Sequence, residues 1–268
     1  MLNVSIVLYL PNWMQVTTLT QVLLQSNSLN HIYWIDNSPI AQTELPIQSS
    51  KLSYIHTSSN IGYGSAHNIA IRESIYDEVP YHLVVNPDII LTREALDEML
   101  RFMSQHPQVG SLMPKVLYPN GQIQYLCKLL PTPLDVFGRR FLPKQWIEKR
   151  NAIYEMRSSG YDKLMNVPYL SGCFMLFRTE AVQKARLFDE RFFMYPEDMD
   201  LTRRIHRDYL TVYFPHATII HDHAQASYKS LKMLWVHIVN VCRYFNKWGW
   251  FRDAERKIFN DTAIHEYL

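Results

Sequence analysis

Tyr81-His82-Leu83-Val84-Val85-Asn86-Pro87-Asp88 is a short apolar run closed by a turn signal. Its apolar residues are continuous rather than alternating, which predicts a strand buried on both faces, and Asn-Pro-Asp predicts where the chain leaves the sheet. The same pattern recurs on either side. Val4 to Leu10 is another such run, and residues 14–29 carry Val16, Leu19, Leu23 and Leu24 near helical spacing. His31 to Ile35 closes on Asp36-Asn37-Ser38-Pro39, and Leu52 to His56 leads into a glycine-bearing loop and a helix ending near Tyr76. Downstream the reading continues with a helix from Arg93 to Gln105, a strand from Val109 to Val116, a strand-like run from Pro168 to Phe177, a short helix from Glu180 to Ala185, and strands at Thr211 to Phe214 and Ile219-Ile220-His221. Strands alternating with helices predict an α/β domain with a mainly parallel sheet flanked by helices, whose ligands bind beyond the strands' C-terminal ends. The polar clusters fall at those ends.

The chain has 268 residues, 47% of them hydrophobic and 19% charged, enough for one large α/β domain with a sizeable core or for two small ones. A net charge of +2 predicts no general attraction to nucleic acid. Cys127, Cys173 and Cys242 are odd in number and far apart, as free thiols of a reducing compartment would be. The opening MLNVSIVLYLPNW lacks a basic n-region, and Pro11 ends its apolar run far short of the ~20 residues a membrane span needs, so it reads as a first strand. These features predict a cytoplasmic protein or one bound to a membrane surface. From Leu231 the pattern changes: Leu231, Leu234, Trp235, Ile238, Cys242 and Phe245 recur at helical spacing, and residues 228–257 carry seven Lys/Arg against two Asp/Glu. The expected organisation is a domain over 1–227 and a basic, aromatic, amphipathic helical extension over 228–268. Two readings fit that extension: a helix lying in a membrane interface, and a helix packing its stripe on the domain.

Phe192-Phe193-Met194-Tyr195-Pro196-Glu197-Asp198-Met199-Asp200-Leu201 places three carboxylates within four positions. A helix starting near Pro196 would carry them in its first turn, where free N–H groups and the macrodipole favour negative charge. The other reading is a general base at a cleft edge, shielded by Phe192, Phe193 and Tyr195. Asp88 at a strand's mouth can hold a hard divalent cation bridging two phosphates, although Asn-Pro-Asp is also an ordinary turn. His221 ends a buried strand in the same way, as a ligand or as a core or capping residue. The loop Asn60-Ile61-Gly62-Tyr63-Gly64-Ser65-Ala66-His67-Asn68 has neither Walker nor dinucleotide-fingerprint spacing; Gly62 and Gly64 would let backbone approach a ligand ahead of a helix N-terminus.

In this order and at these separations, Asp36-Asn37-Ser38, NIGYGSAHNIAI (60–71), VVNPDII (84–90), SGCFMLFR (171–178), FDERFFMYPEDMDLTRRI (188–205) and ATIIHDHAQAS (217–227) resemble family 2 glycosyltransferases of the GT-A fold, over about residues 3–250. More narrowly, the chain is similar to bacterial rhamnosyltransferases of O-antigen and cell-wall polysaccharide assembly. The resemblance implies a Rossmann-like GT-A domain catalysing an inverting, metal-dependent sugar transfer. It makes Asp36 a contact to the base or ribose, with Asn60, Gly62, Asn68 and Asn86 around the nucleotide-sugar. It makes Asp88 the ligand of Mg²⁺ or Mn²⁺, His221 a further metal or diphosphate contact, Asp198 the catalytic base and Glu197 its neighbour in the acceptor site, leaving Asp200 structural. The irregular stretch 119–166 is then expected to cover the acceptor side.

The implied partners are a dTDP- or UDP-sugar, with dTDP-L-rhamnose leading, and a polyprenyl-diphosphate-linked saccharide at the cytoplasmic face of the inner membrane, with no nucleic acid. Asn86 replaces the first Asp of the more general DXD pattern, which predicts modest metal affinity. A sugar nucleotidyltransferase would need a Gly-rich, basic loop after the first strand, which LYLPNWMQ is not. A surface protein that binds saccharide without turnover would be indifferent to loss of Asp88 or Asp198.

Overall fold

The computed structural model describes residues 1–139, 142–222 and 231–268. Its strands are β1 (Leu2–Leu8), β2 (Leu29–Asp36), β3 (Leu52–His56), β4 (Tyr81–Val85), β5 (Ile89–Ile90), β6 (Val109–Leu117), β7 (Cys127–Lys128), β8 (Met165–Asn166), β9 (Tyr169–Leu170), β10 (Phe174–Arg178) and β11 (Leu210–His221). Its helices are α1 (Trp13–Leu24), α2 (Tyr63–Tyr76), α3 (Arg93–Gln105), α4 (Lys144–Tyr154), α5 (Thr179–Lys184), α6 (Glu197–Ile205), α7 (Leu231–Trp248) and α8 (Ala254–Tyr267). The main sheet runs β3-β2-β1-β4-β10-β6-β11-β5, with β8 on β11. β3, β2, β1 and β4 are parallel to one another, and so are β6 and β11. β10 lies antiparallel between β4 and β6. Two reversals restore the direction, so the C-terminal ends of β1, β2, β4, β6 and β11 share one edge.

Continuous burial explains the strands: Leu2, Val4, Ile6 and Leu8 of β1 and Leu83, Val84 and Val85 of β4 have no exposed surface. The helices keep to their caps. Asn12 accepts from the Met14 N–H at the start of α1 and Thr92 from the Ala95 N–H at the start of α3, while Leu96, Met99, Leu100 and Met103 bury one face of α3. Three expectations change. The run from Pro168 to Phe177 breaks into β9 and β10 around Gly172, whose backbone is needed elsewhere. The stretch 119–166, expected to be irregular, contains β7, a π-helical turn over Leu134–Gly138 and α4. The strands predicted at Thr211 and Ile219 are one strand with a register shift between Phe214 and Thr218.

A polar string crosses the core under β1, α2 and β4. Asn3 Nδ2 donates to Ser74 Oγ (3.0 Å), Ser74 Oγ lies 2.7 Å from His82 Nδ1, and Ser5 Oγ lies 2.8 Å from His82 Nε2 and 2.7 Å from His67 Nδ1. Burial holds both imidazoles neutral, pushing His82 down to about 3 and His67 well below its ordinary value. Folded values below the unfolded 6.5 mean that this stability is complete above about pH 6.5 and is lost as pH falls towards 3. At about pH 4.5 His82 alone should cost about 3 kcal/mol. Urea midpoints of the wild type should therefore fall more steeply between neutral and acid pH than those of His82→Gln; equal slopes would contradict the buried neutral state.

The extension packs on α6. Arg203, 1% exposed, donates to Asp253 (2.6 and 2.7 Å) and Glu255 (2.6 Å) and lies 4.0 Å from the Trp248 ring centroid. Val241, Tyr244 and Phe245 share a buried cluster with Leu130, Phe192 and Met199. The packing reading therefore holds for the second half of α7, on residues offset from the predicted stripe, of whose described side chains only Phe245 is fully buried. Residues 233–239 of α7 are half-buried or exposed, with Trp235 67% exposed. The boundary expected at 227/228 and the tail of the motif at 223–227 lie outside the described residues. Among the described residues no helix is long and apolar enough to cross a membrane.

Candidate active site

At the mouth of β1 and β2 lies a cavity of about 330 Å³ lined by Leu10, Pro11, Trp13, Asp36, Ser38, Ile40 and Gln42. Asp36 is fixed there by two donors: its Oδ1 accepts from the Ser38 N–H (2.8 Å) and its Oδ2 from the Tyr54 hydroxyl (2.6 Å). Asn60 is exposed nearby, its Oδ1 accepting from the Gly62 N–H (3.0 Å). Two residues expected around the nucleotide-sugar are spent on the fold instead. Gly62, at φ +92°, has the Phe193 carbonyl where a Cβ would lie, 2.5 Å away, and Gly64 has Phe188 Cβ at 2.8 Å. Asn68 is 1% exposed: its amide donates to the Phe188 carbonyl (2.9 Å) and Glu190 (3.0 Å), and its Oδ1 accepts from the Phe188 N–H (3.0 Å). Gly62, Gly64 and Asn68 thus make room for, and hold, the segment leading to α6.

Asp88 and His221 meet at the ends of β4 and β11, where the Asp222 N–H bonds to the Asp88 carbonyl and His221 Nε2 lies 3.4 Å from Asp88 Oδ1. Gln124 decides which imidazole nitrogen faces Asp88. Its Nε2 donates to the carbonyls of His221 (2.8 Å) and Leu117 (3.3 Å), so its Oε1, 3.0 Å from His221 Nδ1, must accept the Nδ1 proton. Nε2 then points at Asp88 with its lone pair available when the ring is neutral. Burial opposes charge on His221, but Asp88 and Cys173 outweigh it and push the imidazole up to about 10. Asp88 Oδ1 is buried and receives no well-formed hydrogen bond. A hard divalent cation fits this pair, because two neighbouring ligands at ~2.1 Å from such an ion lie about 3 Å apart. Among the described residues no group of three His, Cys, Asp or Glu side chains is arranged to hold a metal ion, so water and substrate phosphate would complete the shell, as Mg²⁺ prefers. Asn86 stands beside the pair, its Oδ1 3.1 Å from the Tyr63 hydroxyl and its N–H on the Cys173 carbonyl.

Across Tyr63, whose hydroxyl also donates to the Gly172 carbonyl (2.7 Å), lies the start of α6. Pro196 precedes the helix, and Glu197, Asp198 and Asp200 occupy its first turn, all buried. Asp198 Oδ2 accepts from the Gly172 N–H (2.8 Å) and lies 3.4 Å from the Tyr169 hydroxyl; its Oδ1 accepts from the Met199 N–H (2.7 Å). A Cβ at Gly172 would come within 3.0 Å of Asp198 Cβ. Burial raises both neighbouring carboxyls. Asp198 is pushed up to about 6, with the Gly172 and Met199 amides and Lys128 restraining the rise, and Glu197, which also feels Asp198, is raised well above the usual range. Glu197 Oε2 is buried with no hydrogen-bond partner among the described residues. Asp200, fully buried, accepts from Arg204 (2.9 Å) and Trp248 (2.8 Å) and pairs with Lys247 (2.7 Å).

The aromatic beside Asp198 is Tyr169, not the expected wall: Phe192 enters the cluster under α7, Phe193 packs on Gly62, and Tyr195 meets His237 edge-on. Tyr169, Gly172, Gln124 and Lys128 escaped sequence reasoning, since each acts through a contact made across the chain. The small residue of Ser171-Gly172-Cys173, inside an otherwise bulky run, was the available signal.

Residues 16–186 match the glycosyl transferase family 2 pattern, and the chain belongs to that family. An N-acetylglucosaminyl-diphospho-decaprenol L-rhamnosyltransferase of Mycobacterium tuberculosis is 29% identical over 184 residues, covering 64% of this chain and 59% of that one. The Haloferax volcanii low-salt glycan biosynthesis hexosyltransferase Agl10 is 24% identical over 182 residues, covering 66% of this chain and 54% of its own length. The chain thus spans less than two thirds of these relatives. The crystal structure of GalNAc-T7 with UDP, GalNAc and Mn²⁺ superposes with a TM-score of 0.60 at 13% identity, over 82% of this chain and 42% of that one, and shares the GT-A fold.

Proposed function

We propose that this glycosyltransferase moves L-rhamnose from dTDP-L-rhamnose, with inversion, to a polyprenyl-diphosphate-linked saccharide in the assembly of a bacterial surface polysaccharide such as O-antigen. The observation that carries the transfer chemistry is the pairing of Asp88 with His221 on one side of Tyr63 and of Asp198 with Glu197 on the other. The relative that acts on a diphospho-decaprenol acceptor supports the sugar and the lipid. The hexosyltransferase relative keeps a UDP-hexose donor as the second reading.

In the proposed reaction the acceptor hydroxyl oxygen attacks the anomeric carbon as the bond from that carbon to the donor phosphate breaks. Asp198 takes the hydroxyl proton, and the nucleoside diphosphate leaves with the electron pair. Its amide contacts hold the carboxylate in place, and its raised basicity suits it to a proton acceptor near neutral pH. Glu197 shapes the acceptor side, and Asp36 holds the nucleoside in the adjoining cavity. Asp88 and His221 would hold Mg²⁺ or Mn²⁺, which when bound neutralises charge on the leaving diphosphate. The exposed Trp235 in the first half of α7 supports attachment to the cytoplasmic face of the inner membrane; Trp235→Glu should then release the protein from anionic liposomes in flotation.

A thermal-shift screen of dTDP- and UDP-sugars with and without Mn²⁺ tests the donor. A ligand at a hundredfold excess over its Kd adds about 2.7 kcal/mol to stability, and dTDP-L-rhamnose with Mn²⁺ should give the largest shift. A larger UDP-hexose shift would transfer the assignment to the second reading.

A further inference from the structure

Lys128 belongs to no motif, yet β7 brings it to Asp198. β7 pairs antiparallel with β9 in the register Lys128↔Tyr169, placing both side chains on one face. Lys128 Nζ lies 5.2 Å from the Tyr169 ring centroid, and the Tyr169 hydroxyl lies 3.4 Å from Asp198 Oδ2. Just past β9, the Gly172 N–H reaches the same oxygen at 2.8 Å. One short ribbon therefore carries both the seat of a cation and two contacts of the carboxylate. Among the described residues Nζ forms no hydrogen bond and no ion pair, while the neighbouring cation, Arg139, is committed to Glu155 at 2.7 Å.

The charges around both groups point the same way. Burial and Arg139 work against the Lys128 charge, whereas Asp198, Glu155 and Cys173 favour it. Asp198 is faced by Glu197, by Lys128 and by the hydroxyls of Tyr63, Tyr154 and Tyr169. Lys128 is the cation among those groups that has no carboxylate of its own. Lys128 is half-buried, and an apolar residue would fill the same seat on Tyr169 without the cost of partly desolvating a cation.

We propose that Lys128 is a positioning residue for the proton-accepting carboxylate: its ammonium, seated on Tyr169, balances the charge of the Glu197–Asp198 pair and keeps Asp198 ionised as the acceptor arrives. This rests on Asp198 being the base.

The test is the pH dependence of kcat/KM for the wild type, Lys128→Met and Lys128→Arg, with dTDP-L-rhamnose and N-acetylglucosaminyl-diphospho-decaprenol as probes. Removing the cation favours protonated Asp198, so the acidic limb of Lys128→Met should move up by about one pH unit. Its rate should fall about fivefold near pH 6 and about tenfold near pH 5, and recover above about pH 8. Lys128→Arg should keep the wild-type limb, a rescue that packing alone does not supply. An unmoved limb, or a loss equal at every pH, overturns the proposal. Nucleotide-dependent thermal shifts verify folding, and if the Met variant fails that check, Lys128→Gln is read by the same criteria. Failure of the underlying reading looks different: Asp198→Asn would then retain turnover, whereas an inactive Asp198→Asn with an unmoved Lys128→Met limb refutes Lys128 alone.

Discussion

Asp198→Asn lowers kcat by about 10²–10⁴-fold while leaving nucleotide-sugar affinity close to that of the wild type. The amide keeps the shape of the carboxylate, and its oxygen can still accept from the Gly172 N–H, so the turn between β9 and β10 stays in place. What it loses is the capacity to take a proton. The side-chain hydrogen bonds of Asp198 run to Gly172, Met199 and Tyr169, not to the cavity at Asp36 or to the Asp88–His221 pair, so binding at those places should not register the change. Release of nucleoside diphosphate measures turnover, and calorimetric titration of the nucleotide-sugar measures binding. In the wild type the rate should fall as pH drops through about 6, because the carboxylate must be ionised and burial pushes Asp198 up to that value. The residual rate of the Asn variant should lack that limb. Wild-type turnover by Asp198→Asn would remove the base assignment, and a limb surviving in it would point to Glu197.

Asp88→Ala removes at least tenfold of the affinity that Mn²⁺ or Mg²⁺ adds to nucleotide-sugar binding. Asp88 supplies the hard oxygen of the pair. His221, oriented by Gln124 and buried, remains as a single nitrogen ligand that suits these cations poorly. Nucleotide binding should weaken towards the value measured with the metal chelated, whatever the donor sugar. Paired titrations with and without Mn²⁺ check this, and an undiminished metal-dependent gain would exclude Asp88 as the ligand.

Much of the fold was readable along the chain, since it depends on local periodicity. Leu83 to Val85 could be recognised as a doubly buried strand, and the turn signals after β2 and β4 put Asp36 and Asp88 at strand ends without any tertiary information. The helix beginning after Pro196 was likewise legible from its acidic first turn. The roles of Gly62 and Asn68 were not. A glycine before a helix looks the same whether its bare face admits a phosphate or the Phe193 carbonyl, and the choice is made by a segment 131 residues later. The stretch 119–166 was opaque for a related reason: its elements are short, and Gln124 and Lys128 acquire meaning only from what they touch.

Read alone, the chain determined an α/β architecture, the strand-end positions of Asp36, Asp88 and His221, and the crowding of Glu197, Asp198 and Asp200 at one helix start, because these follow from spacing and turn chemistry. The tertiary structure decided which groups meet. It set His221 beside Asp88 with a defined proton position, closed Gly172 onto Asp198, turned Gly62 and Asn68 inward, and laid half of α7 on α6 through Arg203. Those outcomes depend on contacts between residues tens to more than a hundred positions apart, and no local pattern records which of several equally polar partners the folded chain brings together.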